Sequence, residues 1–106
     1  MNTFLRTLII DDEERAIIDL EYLLKNHKTI KVVAHEKDSE KAVQVIENFR
    51  PDLIFLDIHM PGKTGFEITD EIFKMGLSLK LSLSQLSTNM QLKLSVMPLS
   101  TFYSNL

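Results

Sequence analysis

Cysteine and tryptophan are absent from this chain of 106 residues, and glycine and proline occur only three times each. Without cysteine there is neither a disulfide framework nor a thiolate zinc site, which is compatible with a reducing compartment. An excess of positive charge is also lacking: 12 basic side chains stand against 15 acidic ones, for a net charge of -3. The basic residues are scattered among carboxylates, so the chain has no electrostatic footprint for nucleic acid or an anionic membrane, and neither is expected as a partner. No apolar run is long enough to span a bilayer, and the stretch from Met1 to Ile10 lacks a small-residue cleavage site, so export is not expected and a cytoplasmic location is. What remains, at 44% hydrophobic and 25% charged, is the composition of one ordinary soluble domain. A domain is typically about 100 to 150 residues and would bury roughly two thirds of its unfolded surface at this length, so disorder is disfavoured.

Hydrophobic patterning divides the front of the chain into alternating elements. Thr7 to Ile10 is a short apolar run ending abruptly at Asp11, Asp12, Glu13 and Glu14, as expected of a buried strand whose C-terminal end meets solvent. Ala16, Ile17, Leu20, Leu23 and Leu24 then repeat at helical period, and Asn26 and Lys28 mark the end of that helix. Ile30, Val32, Val33 and Ala34 predict a second strand, and Ser39 is the expected N-cap of a helix carrying Ala42, Val45, Ile46 and Phe49, stopped by Pro51. Leu53 to Leu56 is a third strand ending in Asp57, followed by the turn Met60-Pro61-Gly62 and a third helix with Phe66, Ile68, Ile72 and Phe73 after Gly65. This order, βαβαβα with short connections, predicts an α/β fold built on a doubly wound parallel sheet. Ligands of such sheets sit beyond the carboxyl ends of the strands, where Asp11, Asp12 and Asp57 are expected to meet.

Three carboxylates gathered at one edge repel one another and must take up a proton or collect a cation. Hard oxygen ligands in an open cleft favour Mg²⁺, and that cation implies a phosphate partner. Asp57 could then attack phosphorus as a nucleophile while charge on the transferred group is neutralised. Taken singly, acidic residues at strand ends are commonly solvated caps, so the combination carries the argument.

Three segments, Leu-Ile-Ile-Asp-Asp-Glu (8–13), Pro-Asp-Leu-Ile-Phe-Leu-Asp-Ile-His-Met-Pro-Gly (51–62) and Gly-Phe-Glu (65–67), closely resemble response-regulator receiver domains, particularly those of LytTR-type regulators. The resemblance covers about residues 4–76 and implies a flavodoxin-like receiver with strand order 2-1-3-4-5. It further implies that Asp57 is the phosphoacceptor, that Asp11 and Asp12 serve the Mg²⁺ together with Asp57, and that His59 supplies a backbone carbonyl ligand. Pro61, Gly62 and Gly65 match the supporting turn after the phosphoacceptor. The implied partner is a histidine kinase, a receiver homodimer is a further possibility, and the domain is a switch rather than a turnover enzyme.

The resemblance gives out after Lys80. Leu79 to Ser84 alternates strictly, acidic residues vanish from positions 72–106, and the fourth and fifth strands are doubtful there. The family's Thr or Ser ending the fourth strand and its Lys ending the fifth are not identifiable: Ser82, Ser84, Thr88 and Lys93 lack the flanking apolar strand. Residues 1–80 therefore read as the receiver's N-terminal part with the phosphorylation site, and 81–106 as an aberrant tail. A single nucleotide missing near the Lys80 codon would account for this, genuine divergence being the alternative. Joining each codon's last base to the next codon's first two forces alanine at Met90-Gln91 and at Met97-Pro98, and leucine at Phe102-Tyr103. The degenerate remainder permits Ile-Ile-Phe-Ile-Thr-Ala-Phe, Tyr-Ala-Ile-Lys-Ala-Phe and Asp-Phe-Leu-Leu-Lys-Pro, restoring both missing residues. As printed, the tail predicts an unstable or partly unfolded product with a DNA-binding half absent. The competing readings are a degenerate receiver that only docks, and a Mg²⁺-dependent phosphohydrolase, for which no Asp-x-Asp pair or glycine-rich phosphate loop is present.

Overall fold

The structure, a computed structural model, describes residues 4–84 and 97–100. β1 (Leu5–Ile10), α1 (Glu14–Leu24), β2 (Ile30–Glu36), α2 (Ala42–Phe49), β3 (Leu53–Asp57), α3 (Gly65–Lys74), β4 (Lys80–Ser84) and β5 (Met97–Pro98) follow in that order, with a 3₁₀ turn at Ser39–Lys41. The sheet runs β2-β1-β3-β4-β5, and its first four strands are parallel.

Side-chain alternation along the two central strands builds the core on both faces of the sheet. Leu8, Ile10, Ile54 and Leu56 point to one side, where Ala42 and Ile46 of α2 and Ile68 and Ile72 of α3 cover them. Ile9, Leu53 and Phe55 point to the other and meet Ile17, Leu20 and Leu24 of α1. Strands buried on both faces read as continuous apolar runs, which is why Leu-Ile-Ile and Leu-Ile-Phe-Leu show no polar alternation. The helix ends have local causes. α2 stops at Arg50, which adopts a left-handed φ of 48° just before Pro51. α3 opens with a reciprocal capping box, in which Thr64 Oγ1 accepts from Glu67 N and Glu67 Oε1 accepts from Thr64 N.

Several sequence expectations require correction. Ser39 is not the N-cap: Asp38 caps the 3₁₀ turn through Glu40 N, because Ser39 is buried and its hydroxyl is engaged elsewhere. Phe66 and Phe73 are exposed; the inner stripe of α3 is Gly65, Ile68, Thr69 and Ile72, and Thr69 satisfies its hydroxyl on the Gly65 carbonyl at 2.7 Å. Phe49 likewise lies outward on α2. The alternation of Leu81 and Ser82 predicts one wet face, yet both are buried: Leu81 joins the core cluster of Ile54 and Leu56, and Ser82 is covered on the opposite face beside Phe55. β5 is a two-residue strand and pairs antiparallel with β4, so the sheet is parallel only as far as β4. Thr88 and Lys93 lie outside the described residues.

Candidate carboxylate site

Chain direction reverses at β1, whose neighbours are β2 on one side and β3 on the other, and a cleft opens at such a switch point beyond the strand ends. Register decides what lines it. Ile10 pairs with Leu56, so the next residue of each strand, Asp11 and Asp57, leaves the sheet at the same level. Asp12 follows in the β1–α1 connection. One oxygen from each of Asp11, Asp12 and Asp57 lies within 4.8 Å of the others.

Backbone amides two residues onward orient both strand-end carboxylates. Asp11 Oδ1 accepts from Glu13 N at 3.0 Å, and Asp57 Oδ1 accepts from His59 N at 3.2 Å. These Asx turns keep the carboxylates at the mouth of the cleft rather than free in solvent. Asp11 is buried, Asp57 half-buried and Asp12 exposed. Burial pushes the Asp57 carboxyl up to about 6, and the charges of Asp11 and Asp12 add to that, while the His59 N–H opposes it. Burial, followed by the charge of Asp12, also raises Asp11, against the opposing hydrogen bond from Glu13 N. Among the described residues no basic side chain forms an ion pair with any of the three. An anionic, oxygen-only cluster of this kind fits a hard divalent cation and lacks the nitrogen or sulfur donors that softer metals prefer.

The loop after Asp57 is closed on itself. Gly65 N donates to Ile58 O at 3.0 Å, and a side-chain carbon at Gly65 would sit 2.7 Å from the Asp57 carbonyl oxygen, so only glycine allows this approach. Gly62 adopts a φ of +86°. Pro61 and Gly62 are exposed, and the exposed His59 presents its backbone N–H to Asp57. Lys63 Nζ reaches Glu71 Oε1 and Oε2 at 2.8 and 2.9 Å, an interaction that raises the lysine's pKa.

The expected convergence of Asp11, Asp12 and Asp57 is present. One further contact has no local signature in the sequence. Ser39 is buried against the Pro61–Lys63 segment, a long-range tie that no local pattern reveals. Ser84, named above without a role, stands opposite Asp57 in the ladder of β3 and β4.

A family model described as "Response regulator receiver domain" matches residues 7–97. The chain is 37% identical over 71 residues to the sensory transduction protein LytT of Bacillus cereus and 38% identical over 71 residues to LytT of Bacillus subtilis. Each match covers 67% of this chain but only 29% and 30% of the respective relatives, so the chain spans less than a third of their length. Among solved structures, the response regulator domain of Thermotoga maritima CheB superposes with a TM-score of 0.63 at 32% identity, covering 67% of this chain and 53% of that one.

Proposed function

The chain belongs to the response-regulator receiver family, and we propose that within it Asp57 is the phosphoacceptor of a two-component switch. One observation carries this reading: parallel pairing of β1 with β3 sets the carboxylates of Asp11, Asp12 and Asp57 within 4.8 Å of one another at the strand ends. The donor would be a phosphohistidine on a partner histidine kinase. An Asp57 carboxylate oxygen forms the new bond to phosphorus as the bond to the imidazole nitrogen breaks, and the displaced imidazole takes up a proton. Asp11 and Asp12 would hold Mg²⁺ with Asp57 and the His59 carbonyl; the ion supplies positive charge against the phosphoryl oxygens in transit. Water later hydrolyses the acyl phosphate, so the domain cycles as a switch in the cytoplasm and does not turn over a substrate pool.

Asp57 protonated near pH 6 would be a poor nucleophile, and a cation held by Asp11, Asp12 and Asp57 would favour its ionised form. We further assign residues 1–80 to the receiver proper and 81–106 to a tail read in a shifted frame. Nucleotide sequence across the Lys80 codon tests that assignment: the neighbouring frame must encode the family's apolar fourth and fifth strands with their Thr and Lys, or the tail is native.

Incubation of the full chain with acetyl phosphate and Mg²⁺, followed by peptide mass analysis, tests the phosphoacceptor role. A base-labile phosphoryl group on Asp57, absent without Mg²⁺ and absent from Asp57→Asn, is expected. Labelling elsewhere, or none, would refute it.

A further inference from the structure

The geometry points to Ser39 as a positioning residue that fixes the loop carrying His59 against the carboxylate site, an inference resting on the metal-dependent reading above. Ser39 Oγ donates to Pro61 O at 2.7 Å and accepts from Lys63 N at 3.0 Å, although 22 and 24 residues separate these partners in sequence. The loop backbone thus wraps around one hydroxyl. Gly62 lies between the two bonded residues, and a side-chain carbon there would sit 2.7 Å from Ser39 Oγ and 3.0 Å from Glu40 Oε1. Glycine is required at 62 both for its positive φ of +86° and because Ser39 already fills the space.

Ser39 is itself held firmly. It is 4% exposed, and the connection between β2 and α2 is laced by its own side chains: Glu36 Oε2 accepts from Lys37 N and Asp38 N, and Asp38 Oδ1 accepts from Glu40 N. The same connection begins at Glu36, whose carbonyl accepts from Asp11 N at 3.1 Å. A single segment, 36–41, therefore grips the Asp11 strand end with one group and the loop after Asp57 with another. Removing the Ser39 hydroxyl cuts the second grip while leaving Asp11, Asp12, Asp57 and His59 chemically intact. Residues that orient metal ligands from outside the coordination shell act in this way.

Three measurements on the full chain decide the matter: amide hydrogen exchange at Lys63, Mg²⁺ affinity by calorimetry, and the thermal midpoint. In Ser39→Ala, exchange at the Lys63 amide accelerates and Mg²⁺ affinity falls about tenfold. Leu24→Val, which thins packing at the far end of α1, serves as the comparison: it lowers the midpoint but leaves Mg²⁺ affinity unchanged. Ser39→Thr, which keeps the hydroxyl, restores Lys63 protection and most of the affinity. The inference is overturned if Ser39→Ala binds Mg²⁺ as tightly as the unaltered chain, or if Lys63 exchange does not change. Failure of the unaltered chain to bind Mg²⁺ at all would instead remove the metal reading, and this inference with it.

Discussion

At the scale of single residues, the carboxyl of Asp57 makes the site sensitive to pH. Its pKa lies at about 6 in the folded chain against an ordinary 3.8, so the folded state keeps a proton that the unfolded state has already released. The resulting contribution to stability is fully present below pH 3.8 and is lost as pH rises through about 6. The metal-free chain should therefore show a thermal midpoint that declines across this window, and Asp57→Asn should flatten the decline. Excess Mg²⁺ at neutral pH should raise the midpoint of the unaltered chain and leave Asp57→Asn nearly unmoved. A decline that persists undiminished in Asp57→Asn would assign it to other groups. Gly65 is the second residue on which the site turns. Its missing side chain admits the Asp57 carbonyl, so Gly65→Ala must push the strand end aside and should impair phosphoryl labelling by acetyl phosphate more than it lowers the midpoint.

At the scale of elements, α3 holds the far end of the site loop, and its capping box is worth testing in isolation. Thr64→Ala removes one hydrogen bond to Glu67 N and should cost about 1 kcal/mol in denaturant unfolding. Ile72→Ala hollows the face where α3 meets the sheet and should cost about 2–5 kcal/mol. Equal losses for the two would mean that the buried stripe of α3 contributes no more than its cap. These elements also show where a sequence is readable. Leu-Ile-Ile-Asp-Asp and Leu-Ile-Phe-Leu-Asp announce both strands and their acidic ends, because a strand buried on two faces leaves a short continuous apolar run, here closed by carboxylates. The helices are legible in position but not in facing: Phe66 and Phe73 are large and apolar yet exposed, while Thr69 is buried because its hydroxyl bonds the preceding turn. Ser39 reads as a cap from its neighbours alone and becomes a loop anchor only once β2 and β3 are brought alongside β1. β4 was obscured by its Ser and Leu alternation, which implies a wet face although Ser82 is buried.

At the scale of the whole molecule, the sheet has its strongest half at β1 and β3 and its weakest at β5, two residues long and antiparallel. Among the described residues α1 covers the face formed by Ile9, Leu53 and Phe55, while α2 and α3 share the other. The β4 amides, next to the two-residue β5, should exchange sooner than those of β1 and β3. The carboxylate site belongs to the strong half, so its chemistry is expected to depend little on β5. Titration of the isotope-labelled full chain with Mg²⁺, followed through its backbone amide resonances, tests this most directly. The account predicts saturable shifts concentrated at residues 11, 12, 57 and 59 and abolished in Asp57→Asn. Shifts that never saturate, or that scatter over the surface acidic residues equally, would contradict it.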